Sequence, residues 1–347
     1  MNKKRYIIPV FVPHLGCPYS CVFCNQVKIT NHKQAMVYDE VIDTIETHLS
    51  YFPKNEIEKE IAFFGGSFTA IRYDLMVGYL EIAKKYKDEG KIDQIRLSTR
   101  PDCIDERILD TLKEYGVDII ELGVQSMVDD ILLANNRGHD SKSVVEASKL
   151  IKSYGFILGH QIMPGLYRDT KEAMIYTAKK SIELKPDIVR IYPTLIVKNT
   201  KLEYLYEIGE YKPLSMDEAI DICGELLLMY KEADITVIRI GLQATENINV
   251  GADVVAGPFH PSFRQLVEQN LYLKAIDKAI EENEFRADEI SFKVPKEVMS
   301  YVVGNKGYNR NYLEDKYGYK KISFCSKDSG ENIDISQNGR EIQIGVI

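Results

Sequence analysis

Three cysteines lie within eight residues near the start of the chain. Cys17, Cys21 and Cys24 have the spacing C-x3-C-x2-C. Thiolates are soft ligands that select zinc, copper or iron–sulfur clusters. Structural zinc takes four ligands, and His14 could supply the fourth. A cubane cluster held by three thiolates would instead keep one iron open for an amino and a carboxylate group. The triplet therefore predicts a metal or cluster site, with structural zinc as the alternative.

The spacing of this triplet resembles the signature of radical S-adenosylmethionine (SAM) enzymes. In those enzymes the open iron of a [4Fe–4S] cluster chelates SAM. On that interpretation Phe23, between two ligands, would lie near the adenine of SAM; the alternative is that it packs over the cluster. The other cysteines, Cys103, Cys223 and Cys325, are scattered, and six in 347 residues are too few for a disulfide scaffold. This use of cysteine fits a reducing cytoplasm.

The composition is that of an ordinary globular chain, with 45% hydrophobic and 28% charged residues. It excludes intrinsic disorder and a collagen-like or coiled-coil chain. No apolar run reaches the ~18 residues that a membrane span needs. The basic N-terminus leads into a run containing Pro9, which makes a poor secretory signal. We expect a cytoplasmic protein with no membrane partner.

Strands and helices alternate along the chain and must position the candidate residues. Amphipathic helix patterns separate apolar runs that predict strands at Tyr6–Val12, Ile61–Phe64, Ile95–Ser98, Ile119–Val124, Phe156–Met163, Ile188–Tyr192 and Thr236–Ile240. Strand–helix repeats of this size predict a parallel sheet with helices outside it. The fold class is therefore α/β, and we expect a partial (β/α)6-type barrel.

Polar residues lie at or just past the carboxyl ends of these strands. They are Cys17, Ser67, Thr99, Gln125, Gln161 and Tyr192. In a barrel such positions meet at one mouth, whereas an open doubly wound sheet would spread them along an edge. This distribution favours the barrel and places one candidate site at its mouth.

The second and third strands end in residues suited to SAM. Gly65-Gly66-Ser67 lets backbone approach a ligand closely and frees carbonyl groups for the methionyl ammonium. Ser98 or Thr99 could bond the ribose; the alternative is a helix cap ahead of Asp105. Gly-Gly alone is a common turn, so this assignment depends on the cysteine triplet.

Later strand ends add four candidates. Gln125 could reach the same ribose, and Arg137 could bind the methionyl carboxylate because a guanidinium holds a carboxylate bidentately. The alternative for Arg137 is a surface arginine. His160 and Gln161 alternate faces, and we favour Gln161 for the barrel interior. Tyr192 either faces the cavity or packs.

The chain from Ile95 to Tyr192 resembles the radical SAM domain of the catalytic subunit of the elongator tRNA-modifying complex. The segments that carry the resemblance are Ser98-Thr99-Arg100-Pro101-Asp102, Glu121–Ser126, Asn136-Arg137-Gly138-His139, Ile162–Leu166 and Ile191–Thr194. With the glycine pair and the cysteines, the resemblance covers about residues 5–280.

This resemblance implies a [4Fe–4S] cluster on Cys17, Cys21 and Cys24 that cleaves SAM reductively to a 5′-deoxyadenosyl radical. It also implies an electron donor such as flavodoxin or ferredoxin. Two departures limit it. The elongator subunit spaces its first two cysteines further apart, and it carries an acetyltransferase domain for which this chain is too short. We expect a shorter member of the elongator-like branch.

The C-terminal residues form a second predicted module with a different charge. The whole chain has a net charge of −8, but residues 291–325 hold 7 basic and 3 acidic side chains. A G-x-x-G loop lies there between two short helices and ahead of a strand, and this arrangement resembles the KH RNA-binding core. The candidate RNA contacts are Gly304, Asn305, Lys306, Gly307, Arg310, Lys320 and Lys321, with Lys316 adding charge. The alternative is a capping module without RNA.

We therefore divide the chain into a radical SAM domain, residues 1–288, and a KH-like RNA-binding domain, residues 289–347. The leading hypothesis is a radical SAM enzyme that modifies a nucleotide in tRNA or rRNA. Two others stay open. One is a radical enzyme acting on a small molecule of the porphyrin-precursor type, and the other is a zinc-stabilised RNA-binding protein without catalysis.

Overall fold

The protein is described by a computed structural model that covers residues 5–12, 17, 19–25, 36–53, 57–242, 252–328, 330 and 332–345. The chain divides into two compact units. One comprises Met1–Met216 and Met229–Phe259, and the other comprises Asp217–Leu228 and His260–Ile347. Each unit has its own sheet.

The first unit is built on a seven-stranded sheet of parallel strands. Its order is β1-β2-β3-β4-β5-β6-β8. The strands are β1 (Arg5–Val12), β2 (Glu58–Gly65), β3 (Gln94–Thr99), β4 (Ile119–Gln125), β5 (Ile157–Ile162), β6 (Ile188–Ile191) and β8 (Thr236–Ile240). A small antiparallel pair joins β7 (Ile196–Val197) to β9 (Val254–Ala256). The expected α/β fold with a partial parallel barrel is confirmed, with a seventh strand beyond six.

Helices connect the strands of this unit. They are α1 (Tyr38–Tyr51), α2 (Tyr73–Asp88), α3 (Glu106–Glu114), α4 (Asp129–Ala134), α5 (Ser141–Ser153), α6 (Lys171–Glu183), α7 (Lys201–Glu207) and α8 (Met216–Glu232). Residues Asp217–Leu228 of α8 are part of the second unit. Asp105, Asp140 and Thr170 each accept a hydrogen bond from a backbone N–H of the first turn that follows. Such caps satisfy donors that a helix start leaves open. They fix where α3, α5 and α6 begin.

Four charged side chains lie buried within the strands of this sheet. Glu60, Arg96 and Glu121 are at most 3% exposed, and Arg190 is 7% exposed. Arg96 contacts both glutamates, and the second carboxylate oxygen of Glu121 accepts from Arg190 Nε at 2.8 Å. Gly159 makes room for this arrangement, because a Cβ there would lie 2.7 Å from Glu121 Cγ. Ion pairs of this kind compensate charged side chains that are buried in a sheet.

The second unit combines a mixed four-stranded sheet with residues Asp217–Leu228 of α8 and three further helices. The sheet order is β11-β10-β12-β13. Its elements are α9 (Phe263–Glu282), β10 (Glu289–Pro295), α10 (Met299–Val303), α11 (Tyr308–Tyr317), β11 (Lys321–Lys327), β12 (Asn332–Gln337) and β13 (Arg340–Gly345). Strands β10 and β11 are parallel, so α10, the G-x-x-G loop and α11 form the crossover between them. The terminal hairpin turns at Asn338-Gly339, both with positive φ, as the sequence predicted.

Helix α9 supplies part of the hydrophobic core of the second unit. Tyr272, Ile276 and Ile280 pack in one cluster with Phe292 of β10 and other residues of the unit. The second compact unit therefore starts ahead of residue 288, where the sequence analysis placed a boundary. The functional division at that boundary stays a prediction. Among the described residues, no helix is long and apolar enough to cross a membrane.

Candidate functional site

The cysteine loop, defined here as residues 17–25, follows β1; residue 18 and the nearby His14 lie outside the described residues. Cys21 is buried, and Cys17 and Cys24 are partly exposed. A turn between them is closed by a hydrogen bond from the Cys24 amide to the Cys21 carbonyl at 3.0 Å. The cysteine loop therefore presents three thiols over a short length of chain.

Four consecutive residues after α4 contact the cysteine loop. The carbonyl of Asn135 accepts from the Val22 amide at 3.1 Å, and Asn136 Nδ2 donates to the Ser20 carbonyl at 2.8 Å. Arg137 Nη1 donates to Cys21 Sγ at 3.2 Å. At Gly138, with φ of +70°, a Cβ would lie 2.3 Å from the Tyr19 ring. We call residues 135–138 the supporting segment.

The guanidinium of Arg137 lies between the cysteine loop and β4. Its Nη2 donates to the Gly123 carbonyl at 2.8 Å, and its Nε has no partner among the described residues. The side chain is 7% exposed, so Arg137 is not a surface arginine. In the structure this guanidinium donates hydrogen bonds to a thiol and to a carbonyl. Its expected role, which is to bind the methionyl carboxylate, stays a prediction.

Arg100 contacts Tyr19 of the cysteine loop. Its guanidinium sits over the Tyr19 ring, 4.9 Å from the centroid, and pairs with Asp102 through two hydrogen bonds of 2.9 and 2.8 Å. Arg100 is 3% exposed, and its Nη1 has no partner in the described structure. Two buried guanidinium groups thus flank the cysteine loop.

Burial raises the pKa of the Cys17 thiol above its usual value. A backbone hydrogen bond from Ser67 and the charges of Arg100 and Arg137 oppose that rise, while Cys21 adds to it. Each arginine therefore favours the thiolate, which is the form that ligates a metal. No set of three His, Cys, Asp or Glu side chains in the described residues is arranged around a single metal ion. Three thiols beside two buried cations are a donor set that suits an anionic iron–sulfur cluster.

Hydroxyl groups at the ends of β2 and β3 form a buried network. Ser67 Oγ and Thr69 Oγ1 lie 2.9 and 2.6 Å from Thr99 Oγ1, and Thr69 donates to the Cys103 carbonyl at 2.7 Å. Ser67 Oγ also accepts from the Arg100 amide at 3.1 Å. Thr99 is thus bonded to neighbouring hydroxyls. Its expected contact with ribose stays a prediction.

The glycine pair closes β2 with an unusual backbone. Gly65 has φ of +108°, a conformation that favours glycine, and the Gly66 amide donates to the Val12 carbonyl at 2.9 Å. This bond joins the end of β2 to the end of β1, from which the cysteine loop departs. The expected close approach of the glycine backbone to a ligand stays a prediction.

Gln125 ends β4 in a strained conformation. Its φ is +64°, and the register with β5 shifts between Gly123 and Gln125. The side-chain oxygen accepts from Gln161 Nε2 at 3.3 Å. A positive φ in a non-glycine residue costs about 1–3 kcal/mol of backbone strain, and such residues are common at functional sites. The contact brings together two of the predicted site residues.

His160 and Gln161 point to opposite faces of β5, as their alternation predicted. His160 is 1% exposed and bonds Ser148 of α5 and Ser181 of α6, at 3.0 and 2.9 Å. Burial lowers its pKa to about 3. His160 is therefore a neutral core residue between sheet and helices.

The face of the sheet that carries the buried charges also carries Ser98 and Tyr192. Each lies two residues beyond a member of that network, Arg96 or Arg190, so strand alternation puts it on the same face. The Tyr192 hydroxyl accepts from Arg190 Nη1 at 3.1 Å. Tyr192 is thus held by the buried charges.

Phe23 belongs to a hydrophobic cluster of the first unit. It is 9% exposed and packs with Val22, Ile131 and Leu202 among others. His139 of the segment Asn136-Arg137-Gly138-His139 is buried, its Nδ1 has no partner in the described residues, and burial lowers its pKa to about 4. The environment of Phe23 agrees with the packing interpretation, and a contact with adenine stays a prediction.

In the second unit the G-x-x-G loop has the strained backbone that its glycines allow. Gly304, Lys306 and Gly307 have φ of +83°, +53° and +76°. The loop is held from α9, because the Asn305 amide donates to Gln269 Oε1 at 2.6 Å, and Asn309 Nδ2 donates to the Gln269 carbonyl at 3.1 Å. Lys306 is exposed at its tip.

Carboxylates compensate most of the positive charge expected near this loop. Arg310 pairs with Glu314, Lys316 with Asp277 and Glu281, Lys320 with Asp288, and Lys321 with Glu289. Lys306 makes no ion pair within the described residues. Residues 291–325 have a net charge of +4 in the sequence. This value therefore overstates the positive charge near the loop that carboxylates leave uncompensated.

Comparisons with known proteins agree with the geometry of the first unit. Family models for the radical SAM superfamily and for the radical SAM C-terminal domain match residues 11–180 and 186–272. An uncharacterized protein of Methanocaldococcus jannaschii is 33% identical over 237 residues, which cover 65% of this chain and 72% of that protein. The chain belongs to the radical SAM superfamily.

Other relatives confirm the predicted elongator-like resemblance. The tRNA uridine(34) acetyltransferase of Methanocaldococcus jannaschii is 33% identical over 190 residues, which cover 49% of this chain and 35% of that protein. Elongator complex protein 3 of Dictyostelium discoideum is 34% identical over 152 residues, covering 42% and 27%. The chain spans about a third of the length of these two relatives.

A solved structure shows the same fold. The archaeal Elp3 of Methanocaldococcus infernus, with residues 1–46 deleted, aligns with a TM-score of 0.58 and 21% identity. The alignment covers 83% of this chain and 65% of that one. The parallel sheet and its helices are therefore those of a radical SAM fold.

The structure adds residues that the sequence analysis did not assign to the site. They are Tyr19 within the cysteine loop, and Arg100, Asn135, Asn136 and Gly138, which contact or support that loop. Four of these residues lie within or next to the segments that carry the family resemblance. That position was the sequence signal that could have identified them as site residues. Charged residues within apolar strand runs, such as Arg96 and Glu121, were a second signal.

Proposed function

We propose that the protein holds a [4Fe–4S] cluster through Cys17, Cys21 and Cys24, binds SAM at the neighbouring strand ends and modifies a nucleotide in tRNA. The observation that carries this proposal is the contact of residues 135–138 with the cysteine loop. Three of these contacts are hydrogen bonds, and one of them goes to a thiol sulfur. Such support is what a loop of metal ligands needs to keep its geometry.

The bound cluster would supply the electron that cleaves SAM to the 5′-deoxyadenosyl radical. The chain's own residues would bind and orient the cofactor. Gly65 and Gly66 offer backbone to the methionyl ammonium, Ser98 and Gln125 offer polar groups to the ribose, and Tyr192 lies on the same sheet face as Ser98. A one-electron donor of the flavodoxin or ferredoxin type would reduce the cluster.

Two observations support an RNA substrate. Relatives that match half of the chain are tRNA uridine(34) acetyltransferases. The G-x-x-G loop presents an exposed lysine between two glycines, and a loop of this kind can clamp a nucleotide backbone. The loop would hold the tRNA while an unstacked base reaches the radical.

The ion pairs around the loop favour a second candidate. Four of the five basic side chains expected to attract RNA are already paired with carboxylates. A radical SAM enzyme that acts on a small molecule would need no free basic patch. Such an enzyme would show no salt-dependent affinity for tRNA.

Anaerobic reconstitution of the full chain tests the first step. With SAM and a low-potential reductant, we expect bound iron and sulfide and the release of 5′-deoxyadenosine. Cys21→Ala removes a ligand and should abolish both, whereas Cys325→Ala changes an exposed cysteine of the second unit and should leave both unchanged. Bound zinc without iron or sulfide in the unaltered protein would refute the proposal.

The substrate is tested by nucleoside mass spectrometry of tRNA and rRNA from a deletion strain and its parent. A modified nucleoside that disappears on deletion and returns with the intact gene, but not with Cys21→Ala, would identify the target. Unchanged nucleosides together with active SAM cleavage would favour the small-molecule candidate.

A further inference from the structure

Two buried arginines approach the thiols from different elements of the first unit. Arg137 follows α4 and donates to Cys21 Sγ at 3.2 Å, and Arg100 follows β3 and lies over Tyr19. They are 7% and 3% exposed. The two guanidinium groups therefore contact the same cysteine loop.

Each guanidinium keeps one nitrogen that donates to no acceptor in the described residues. These are Arg137 Nε and Arg100 Nη1. A buried donor without an acceptor is unfavourable, and more so when it is charged. The other two nitrogens of Arg100 donate to Asp102, and the other two of Arg137 donate to Cys21 and Gly123. The open donors indicate that an acceptor-rich, anionic group completes this site.

Resting on the proposed function, we propose that Arg137 and Arg100 are positioning residues that stabilise the reduced state of the cluster. One electron leaves the flavin or iron–sulfur centre of the donor and enters the cluster, and no bond forms or breaks in that transfer. The added negative charge is stabilised by nearby cations and by hydrogen bonds to sulfur, which raise the reduction potential.

The experiment is a redox titration of the reconstituted full chain without SAM, followed by electron paramagnetic resonance. Arg137→Gln removes the charge, Arg137→Lys retains it, and Arg107→Gln removes an exposed cation that lies over the Tyr73 ring in another part of the unit. At a fixed donor potential we expect Arg137→Gln to lower the ratio of reduced to oxidised cluster about tenfold, equivalent to about 59 mV. Arg137→Lys should retain most of the ratio, and Arg107→Gln should match the unaltered protein.

An unaltered potential in an iron-replete Arg137→Gln protein overturns the inference. If that variant loses only SAM affinity, Arg137 binds the methionyl carboxylate as the sequence suggested, and the inference is equally wrong. Should Arg137→Gln fail to hold iron, Arg100→Gln carries the same prediction, because Arg137 then still contacts Cys21. Failure of the unaltered chain to assemble a cluster would refute the proposed function instead, so the two failures are distinguishable.

Discussion

At the scale of single residues, the cysteine loop depends on side chains far away in the sequence. Asn136 and Arg137 each contact a residue 116 positions earlier. The position after them has to be glycine for two reasons. Its φ is +70°, and a Cβ would lie 2.3 Å from the Tyr19 ring. Gly138 therefore fixes both the supporting segment and the position of Tyr19.

Gly138→Ala should displace Tyr19 and weaken the cysteine loop. A side chain at positive φ costs about 1–2 kcal/mol, and the clash with the ring adds about 1–3 kcal/mol. We expect a lower free energy of unfolding by about 2–5 kcal/mol and loss of most bound iron after reconstitution. Urea unfolding and iron analysis measure the two effects.

Gly116→Ala is the matched control for this change. Gly116 has φ of +71°, but a Cβ there meets nothing nearer than Lys87 Cδ at 3.9 Å. It should lose only the backbone contribution and retain iron. Adding Tyr19→Ala to Gly138→Ala should restore part of the iron. Equal losses in the two alanine variants would show that contact with Tyr19 is not important.

The residue types at the site were predictable, but their contacts were not. The spacing of Cys17, Cys21 and Cys24 indicated the family, and Gln161 was assigned to the correct face of β5. The contact of Arg137 with Cys21 was missed, because nothing in the local sequence says what a buried guanidinium will face. That depends on how β4 and the cysteine loop meet in space.

At the scale of elements, the sheet of the first unit contains paired charges where apolar side chains are usual. Arg96 lies between two glutamates, and Glu121 lies between two arginines. Removing one partner of a buried pair leaves the other charge without compensation, which is costly. The network therefore fixes which strands are neighbours and in what register.

Glu121→Gln should destabilise the fold strongly. The amide cannot compensate both Arg96 and Arg190, so we expect a loss of about 3–5 kcal/mol in the free energy of unfolding. Glu183→Gln breaks an exposed pair with Lys180 on α6 and should cost about 0–1 kcal/mol. Urea unfolding of both variants measures the difference, and similar small losses would mean that the network contributes little.

The packing of β5 against α5 and α6 makes stability depend on pH through His160. In the unfolded chain a histidine takes up a proton below about pH 6.5, but burial holds the pKa of folded His160 at about 3. The unfolded state therefore binds more protons within this window, and the free energy of unfolding falls as the pH falls.

His160→Gln should remove this contribution. Between pH 7 and pH 5 we expect the variant to lose about 2 kcal/mol less stability than the unaltered protein. Urea unfolding at the two pH values measures this difference. The same pH dependence in both proteins would mean that His160 takes up a proton in the folded state.

Most elements were predictable from sequence because their periodicity is clear. All seven strands of the parallel sheet, from β1 to β8, lie where apolar runs predicted them. The pair formed by β7 and β9 was not predicted, because two- and three-residue strands leave no periodic pattern. The short helices α4 and α7 were missed for the same reason.

At the scale of the whole molecule, the net charge did not indicate which basic side chains are compensated by carboxylates. The chain carries −8 overall, yet residues 291–325 are basic. The structure pairs most of those cations with carboxylates, some of them on α9, which the predicted boundary assigned to the other domain. Sequence counting cannot show such pairing, because it depends on contacts between distant segments.

RNA binding should therefore depend on Lys306 more than on its neighbours. Lys306→Ala should lower the affinity for tRNA and reduce the salt dependence of binding by about one ion. Lys320→Ala, whose lysine already pairs with Asp288 at 2.7 Å, should have a smaller effect. Binding measured at several salt concentrations tests this, and equal effects would contradict it.

Point variants suit this test better than removal of residues 289–347. Such a deletion would remove the strands that cover Tyr272, Ile276 and Ile280 of α9. The newly exposed apolar face would itself alter the behaviour of the protein. Single substitutions leave that core intact.

The unpaired edge of the parallel sheet also affects how readily the protein aggregates at high concentration. Among the described strands, β1 is paired on one side only, with β2. An unpaired strand edge is a template on which another chain can add, and this is a common start of aggregation. Pro9 lies in the middle of β1 and has no N–H to offer. Pro9 thus interrupts the row of hydrogen-bonding groups along this edge. The sheet can therefore keep an unpaired edge strand without promoting edge-to-edge aggregation of newly synthesised copies.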